Sequence, residues 1–341
     1  MTSADPVLHQ FRLGSPWQAV DPFLFVAHHD DAYPQGTADL GPDAALTGRP
    51  LGRDFGHPSG WNMYHGQTVP GFPQHPHRGF ETVTYVRRGT VDHADSLGAT
   101  ARYGDGDTQW LTTGRGVSHS EMFPLLHRDR PNPLDLFQIW LNLPAASKSA
   151  DPHFAMLWNE QTPRLTRTDD AGRESVVTVI AGAFDGVAPL APPPESWAAD
   201  SDADLAIWHL DLTPDARLPL PAADGPDTHR VLYVYEGSDV RIGADTIGTG
   251  TGVVLDAAAA VTLTAGAGGI RILLLQGRPI GEPVAQHGPF VMNDEAGLVA
   301  AFDDYRRTGF GGWPWQADGP VHPADAGRFA RHPDGRVDSP H

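Results

Sequence analysis

The sequence predicts an all-β protein of two domains with one clear helix near the C-terminus. Its 341 residues are enough for two domains of ordinary size, each with its own hydrophobic core. The 38 glycines and 32 prolines divide the chain into short segments, many of which are rich in β-branched and aromatic residues. Sustained helical periodicity is restricted to two or three stretches. We therefore expect short antiparallel strands arranged in small barrels or sandwiches.

The composition limits the chemistry and the partners. The chain has no cysteine, which excludes disulfides, iron–sulfur clusters and thiolate zinc sites, so any metal must be held by nitrogen and oxygen. A formal net charge of −18 repels a phosphate backbone, so we expect no direct binding to nucleic acid. The N-terminus does not have the pattern of a signal peptide, and no stretch has the length of a membrane span. We expect a cytoplasmic protein without membrane contact.

The first predicted domain covers residues 1–158 and contains a long loop at residues 39–70. This loop has many turn-forming residues and few apolar pairs. Long ordered loops are commonly functional. Two interpretations stay open for the end of the loop, whose side chains either form a lid over a nearby site or pack on the rim of a barrel. The residues concerned are Trp61, Met63, Tyr64 and His65.

Two series of strands follow, and they resemble each other. The first begins at Phe80 with FETVTYV, and the second begins near Ser175 with SVVTVIAG. A polar interval separates them, so we place the second domain at residues 174–285. The runs YVRRG and YVYEG both end a strand in a glycine turn, which indicates a duplicated domain.

The clearest helix lies in a C-terminal segment at residues 286–310. The sequence predicts that Asn293 caps a helix running from about Asp294 to Arg307. Its apolar face consists of Leu298, Ala301, Phe302 and Tyr305. The tail at residues 311–341 is rich in Gly, Pro, Asp and His, so we expect it to be extended or mobile.

Two pairs of residues have the spacing of metal ligands on β-strands. His75 and His77 are two residues apart, as are His119 and Glu121, which places each pair on one face of a strand. Together they would provide three nitrogens and one carboxylate, a set that suits iron, manganese, nickel, copper or zinc. Glu81 is an alternative to Glu121 as the fourth ligand, because its even spacing from His75 and His77 would place its side chain on the same face as theirs. Alternatively, Glu81 accepts hydrogen bonds behind the ligands.

The second half of the chain lacks these ligands. Alignment of the two halves on their glycine turns places Ala223 and Gly225 at the positions of His75 and His77, and Ala265 and Ala267 at those of His119 and Glu121. A duplicated second domain would therefore be degenerate and would bind no metal in this way. We expect one mononuclear metal ion per chain.

Four stretches resemble the signature stretches of pirin and pirin-like proteins, in the same order and over most of the chain: HPHRGFETVTYV, GDTQWLTTGRGVSHSEM, FQIWLNLP and GEPVAQHGPFVMN. The resemblance implies two stacked cupin domains, which are jelly-roll-like antiparallel β-barrels, with metal only in the N-terminal one. It also implies that the metal is iron and that its ligands are His75, His77, His119 and Glu121. The loop at 39–70 and the tail after residue 310 depart from the family pattern.

The resemblance implies two main functions. Some pirin-like proteins are similar in activity to quercetinases, which open a flavonol with dioxygen and release carbon monoxide, and Glu121 would then also be the catalytic general base. Other members act as non-catalytic, iron-dependent redox sensors that bind a transcription factor or a metabolic enzyme. The partner would accordingly be a small planar aromatic substrate or a protein. A third possibility is an oxygenase or isomerase of another small molecule, and we expect a monomer.

Several further side chains are candidates for secondary roles. An apolar mouth for a planar ring would consist of Phe80, Trp110, Met122 and Phe123, unless these residues belong to the barrel core. Arg78 and Arg115 flank the ligand motifs and would hold an anionic group, or would simply be solvated or ion-paired. Structural roles are preferred for His93, His209 and His229.

Overall fold

The computed structural model describes residues 5–225 and 227–340 and confirms an all-β architecture with a C-terminal helix. The backbone forms two compact units. One, here called the motif unit, comprises Ala27–Glu160 and Glu282–His341, and the other, the companion unit, comprises the chain up to Val26 and Gln161–Gly281. No helix in the described part of the chain is long and apolar enough to cross a membrane.

The strands are numbered along the chain. The first thirteen are β1 (Val7–Arg12), β2 (Trp17–Gln18), β3 (Phe23–Asp31), β4 (Gly71–His77), β5 (Phe80–Arg88), β6 (Thr90–Asp95), β7 (Thr100–Gly104), β8 (Thr108–Thr112), β9 (Val117–Met122), β10 (Leu134–Asn142), β11 (His153–Leu157), β12 (Arg164–Thr168) and β13 (Glu174–Ala181). The next twelve are β14 (Ala206–Leu212), β15 (Arg217–Leu220), β16 (His229–Gly237), β17 (Asp239–Ile242), β18 (Asp245–Gly248), β19 (Thr251–Asp256), β20 (Val261–Ala265), β21 (Ile270–Gly277), β22 (Ala285–His287), β23 (Phe290–Met292), β24 (Phe329–Arg331) and β25 (Val337–Asp338). Two short 3-10 helices lie at Trp197–Ala199 and Ser201–Ala203, and the α-helix α1 spans Glu295–Thr308.

Two large antiparallel sheets enclose the core of the motif unit, and β22 and β23 form a further two-stranded sheet. One large sheet has the strand order β11-β8-β5-β10-β3, and the other has the order β25-β24-β7-β6-β9-β4. Alternation along each strand turns every second side chain towards the space between the sheets. Val86 and Leu111 of the first sheet cluster there with Val117 and Ala330 of the second.

Strands β4 and β9 carry the two ligand motifs and pair directly. His75 lies opposite His119, and Phe72 lies opposite Glu121, with an irregularity in the register between these two pairs. Directly opposed residues of an antiparallel pair project to the same side of the sheet. The pairing therefore turns these four side chains into the same interior space.

The companion unit has a seven-stranded sheet of order β1-β19-β16-β21-β14-β13-β12 and a four-stranded sheet of order β15-β20-β17-β18. Its core is a large cluster of aliphatic side chains that includes Leu232, Leu263 and Leu274. Strand β1 pairs with β19 from Val7 to Arg12, so the N-terminal residues belong to this unit. The sequence assigned them to the first domain, because strand pairing between distant segments leaves little signal in local composition.

Helix α1 begins one residue later than predicted. Its N-cap is Asp294, whose Oδ1 accepts a hydrogen bond from the backbone N–H of Gly297 at 2.7 Å. The predicted cap, Asn293, is wrong, because its side-chain amide donates to Glu282 and to the backbone instead. The residues of the predicted apolar face pack around Phe290: Leu298, Ala301, Phe302 and Tyr305.

The C-terminal tail, which its composition predicts to be extended or mobile, is held on the motif unit. Strand β24 extends a sheet beside β7. The guanidinium of Arg102, which is 1% exposed, binds both carboxylate oxygens of Asp92 at 2.7 Å and donates to three backbone carbonyl groups of the tail. The tail is ordered through its own backbone groups, and composition does not reveal such contacts.

Candidate metal centre

The structure brings three of the four predicted ligands into one compact group. One ligand nitrogen from each of His75, His77 and His119 lies within 4.8 Å of the others, a spacing that could hold a metal ion. The ring centroids of His75 and His119 are 4.4 Å apart, as expected for residues opposed across two strands. His77 follows on the same face of β4, with its centroid 4.8 Å from that of His75.

The hydrogen bonds of these imidazoles fit a metal. His75 Nδ1 lies 2.9 Å from the carbonyl oxygen of Pro73, to which it donates, so Nε2 keeps its lone pair. Within the described residues, Nδ1 of His77 and both ring nitrogens of His119 are buried without a hydrogen-bond partner. Unsatisfied buried polar atoms are costly, and metal coordination would satisfy one nitrogen of each ring.

Electrostatics keep the three imidazoles neutral. Burial lowers the pKa of His75 to about 4, and it lowers the pKa of His77 and His119 well below the usual value. Repulsion between neighbouring imidazoles acts in the same direction. Neutral imidazole is the form that binds metal, so the site is ready for an ion at physiological pH.

Glu121 lies beside this group. Its Oε2 is 3.7 Å from His119 Nε2 and accepts a hydrogen bond from Gln138 Nε2 at 2.7 Å. Its Oε1 accepts a longer one from the hydroxyl of Thr84, at 3.4 Å. Burial raises the pKa of Glu121, while the charge of His93 and the two hydrogen bonds oppose this shift. The role of Glu121 as the fourth ligand remains a prediction.

Glu81 does not compete for this position. Its carboxylate accepts hydrogen bonds from Trp110 Nε1 at 3.1 Å and from the hydroxyl of Thr112 at 2.7 Å. Glu81 and Thr84 lie three residues apart on β5 and face opposite sides of the sheet, and Thr84 is the one that contacts Glu121. The parity argument failed because Glu81 lies on a different strand from the histidines, after a turn.

Comparison with known proteins assigns the family. The family model described as Pirin matches residues 6–141, and the model described as Pirin C-terminal cupin domain matches residues 207–311. A pirin-like protein of Caulobacter vibrioides is 40% identical over 240 residues, which are 70% of this chain and 80% of that protein. The chain belongs to the pirin family.

Further relatives carry the name of an activity. A Pseudomonas aeruginosa protein named "Putative quercetin 2,3-dioxygenase" is 40% identical over 242 residues, which are 70% of this chain and 79% of that protein. The crystal structure of quercetin 2,3-dioxygenase from Acinetobacter baumannii aligns with a TM-score of 0.69 over 91% of this chain and 99% of its own. At 23% identity, this second match shows that the two proteins share the pirin fold.

The predicted apolar mouth of this pirin-family site is only partly assembled. Phe80 contacts His77 and stacks on Trp140 with 3.9 Å between ring centroids, and Trp140 was missed by the sequence analysis. Trp110 lies on the side of the sheet that carries Glu81. Met122 packs in a separate apolar cluster on the other side of β9 from Glu121.

The 39–70 loop belongs to the barrel core rather than forming a detached lid. Trp61, Met63 and Tyr64 are buried in the main core cluster of the motif unit. Tyr64 stacks on Phe72 with 5.0 Å between ring centroids, and Phe72 contacts His75 in turn. The loop thus reaches the edge of the metal centre through one aromatic ring.

The remaining candidates have ordinary partners. Arg78 pairs with Asp304 and Arg115 pairs with Asp151, both at 2.7 Å. His93 is fully buried, with its Nε2 3.1 Å from Asp95 Oδ2 and its ring centroid 5.5 Å from that of His119. His209 Nε2 shares a hydrogen bond with the hydroxyl of Tyr235, and His229 Nδ1 donates to the backbone carbonyl of Asp21.

Proposed function

We propose that this pirin-family protein is a metal-dependent dioxygenase that opens a flavonol or a similar planar enol. The observation that carries the proposal is the group of three neutral imidazoles, two of which have buried ring nitrogens without a hydrogen-bond partner among the described residues. Several relatives carry the name "Putative quercetin 2,3-dioxygenase", which supports the same chemistry. Fold alone would not support it, because one fold hosts many functions.

The proposed metal is iron, held by His75, His77 and His119, with Glu121 completing the set. When bound, iron supplies a Lewis-acid centre and the redox chemistry for reaction with dioxygen. The protein orients the ligands: the hydrogen bond from His75 Nδ1 to Pro73 fixes the tautomer of that ring, and Gln138 fixes the carboxylate of Glu121.

Glu121 is the proposed general base for the enol hydroxyl. Its buried carboxylate has a raised pKa, so it retains a proton better than an exposed carboxylate would. Its two hydrogen-bond donors, Gln138 and Thr84, keep the oxygens in place as the proton arrives. A base placed beside the metal centre would convert the enol into the anion that reacts.

The surroundings of His75 also support a small aromatic substrate. His75 and Phe72 are half-buried, whereas His77, His119 and Glu121 are buried, so His75 is the most exposed member of the group. Aromatic rings at that side and deeper in the barrel provide flat apolar surfaces for a planar ligand.

The test is elemental analysis of the purified protein together with oxygen uptake on quercetin. We expect one iron per chain, loss of iron in His119→Ala, and no loss in the control His229→Ala, since His229 is exposed and remote in sequence from the ligand motifs. We expect oxygen uptake only in the iron-loaded wild type and the control. Stoichiometric iron without uptake on any flavonol would refute the dioxygenase and favour the redox-sensing regulator.

A further inference from the structure

His29 lies near the more exposed side of the metal centre. It lies on β3, is half-buried, and packs edge-on against Phe72 at 5.6 Å and Tyr64 at 4.8 Å between ring centroids. Phe72 in turn contacts His75, with centroids 6.2 Å apart. One aromatic ring therefore separates His29 from a predicted ligand.

A chain of hydrogen bonds begins at His29 and ends on a buried carboxylate. His29 Nδ1 lies 2.8 Å from the hydroxyl of Tyr64, and this hydroxyl lies 2.6 Å from Asp31 Oδ2. The other oxygen, Asp31 Oδ1, accepts from both the backbone N–H and the side-chain amide of Asn62, each at 2.8 Å. The hydroxyl of Tyr64 and both carboxylate oxygens of Asp31 therefore each have a hydrogen-bond partner within this series.

The chemistry of these three side chains determines which group donates in each hydrogen bond. An ionised carboxylate can only accept, so Tyr64 gives its single proton to Asp31. The oxygen of Tyr64 must then accept from His29, which places the imidazole proton on Nδ1. His29 Nε2 is left with a free lone pair, since the hydrogen bond of His29 to a described residue is made by Nδ1. Burial lowers the pKa of His29 to about 4, with repulsion from His28 in the same direction, which agrees with a neutral ring.

The loop holds the tyrosine in this position rigidly. Tyr64 has a φ of 55°, in the left-handed region that a bulky residue rarely adopts. Its backbone exchanges two hydrogen bonds with Asp54, and its side chain is buried. A strained residue fixed this firmly is often part of a functional site. Here the 39–70 loop supplies the residue that sets the tautomer of His29.

We infer that His29 Nε2 is a hydrogen-bond acceptor for a second hydroxyl or N–H group of the substrate, remote from the enol that meets the metal centre. This inference rests on the proposed function and deepens it. His29 is a specificity-determining residue in this view, and Tyr64 and Asp31 act through it as positioning residues. The preferred ligands are planar enols with additional hydroxyl groups on their rings.

The first test reads the tautomer without any turnover. The full-length protein, labelled with ¹⁵N-histidine and loaded with diamagnetic zinc, is studied by long-range ¹H–¹⁵N correlation, and His29→Leu assigns the signal. We expect Nδ1 protonated and Nε2 unprotonated in the wild type. In Asp31→Asn, the oxygen of the new side-chain amide must still accept from the backbone N–H of Asn62, so its nitrogen donates to the hydroxyl oxygen of Tyr64. The Tyr64 hydroxyl must then donate to His29 Nδ1, and the imidazole proton moves to Nε2. An Nε2-protonated ring in the wild type overturns the inference.

The second test compares two ligands in the zinc form. Quercetin carries several hydroxyl groups, whereas 3-hydroxyflavone keeps only the chelating enol and carbonyl. We expect His29→Leu to weaken quercetin binding about tenfold and 3-hydroxyflavone binding by less than about twofold, as for the loss of one hydrogen bond. His29→Gln, which retains an acceptor, should restore part of the affinity. His65→Leu serves as control, because His65 also contacts Phe72 but lies outside the hydrogen-bond chain.

The outcomes separate this inference from the proposed function. Equal losses for both ligands, or no loss, in a His29→Leu protein that keeps its metal overturn the inference and leave the dioxygenase standing. Selective loss of quercetin in a protein that consumes no oxygen supports the ligand site and refutes the enzyme. Failure of the wild type to bind either flavonol overturns both.

Discussion

Lys148 Nζ lies 2.7 Å from the carbonyl oxygen of Gly79, in the turn that follows His77. The same ammonium group donates to Asn142 Oδ1 at 2.7 Å and to the carbonyl oxygen of Val291 at 3.3 Å. Lys148 is the single lysine of the sequence and is 2% exposed. It therefore connects the turn beside a predicted ligand to strands β10 and β23 through three neutral oxygens.

Replacement of Lys148 should destabilise the protein in a pH-dependent way. Lys148→Met leaves three buried acceptors without a donor, and we expect a loss of about 2 kcal/mol in unfolding free energy near neutral pH. Burial lowers the pKa of Lys148 to about 8, opposed by the charge of Glu282, from an ordinary value of 10.5. The unfolded chain therefore binds more protons than the folded one between these values. The unfolding free energy of the wild type should rise relative to the variant across this interval, and chemical denaturation at pH 7 to 10 would measure it. A constant difference would contradict the assignment.

Asp31 should give a pH dependence of the opposite sign at lower pH. Burial raises its pKa to about 6, although hydrogen bonds from Tyr64 and Asn62 act against this shift. The folded protein then binds the proton more tightly than the unfolded chain, whose aspartate has the ordinary value of 3.8. The unfolding free energy of the wild type should fall relative to Asp31→Asn as the pH rises from about 4 to about 6. Urea titrations of both proteins, freed of metal, measure this difference, and parallel pH profiles would rule out the raised pKa.

The buried pair of Arg102 and Asp92 should fix the C-terminal tail. Lysine cannot form the two parallel bonds to Asp92 while also reaching the tail carbonyls, so Arg102→Lys should lower the unfolding free energy by about 3 kcal/mol. The matched control is Arg115→Lys, whose exposed pair with Asp151 should contribute less than about 1 kcal/mol. Denaturant titration gives both values, and limited proteolysis should show earlier cleavage of the tail in the first variant only. Equal stability of the two variants would contradict a structural role for the tail.

The sequence was sufficient for the fold class and for placing His75 and His77 on one face of a strand, because both depend on short-range patterns. Alternating strand residues and glycine turns are local signals, and so is the spacing of His75 and His77 on one strand. The pairing that brings His119 opposite His75 joins distant segments, and there the resemblance to a known family supplied what spacing alone could not.

Other features depend on contacts that no local pattern encodes. Glu81 has the parity of a ligand, yet the turn at Gly79 begins a new strand and directs its side chain away from the metal centre. Tyr64 and His29 are separated by 35 residues and meet only in the folded barrel. Lys148 did offer a signal, since a single lysine in a chain rich in arginine suggests a particular environment, but its three oxygen partners are fixed by tertiary structure.

Glu121→Gln should separate the two roles proposed for this residue. The amide keeps the size of the side chain and can still accept a hydrogen bond from Gln138, so the three imidazoles should keep their arrangement. If Glu121 is the general base, oxygen uptake on quercetin should fall by about 100-fold or more, because an amide cannot take the enol proton. If Glu121 is also a ligand, the affinity for iron should fall as well, by about tenfold to 100-fold, and added iron should restore occupancy without restoring the rate.

Competitive chelator titration gives the iron affinity, and oxygen electrode measurements on the same preparations give the rate. Full activity at full occupancy would remove Glu121 from the chemistry, whereas lost activity with unchanged iron affinity would leave it as a base that does not bind the metal.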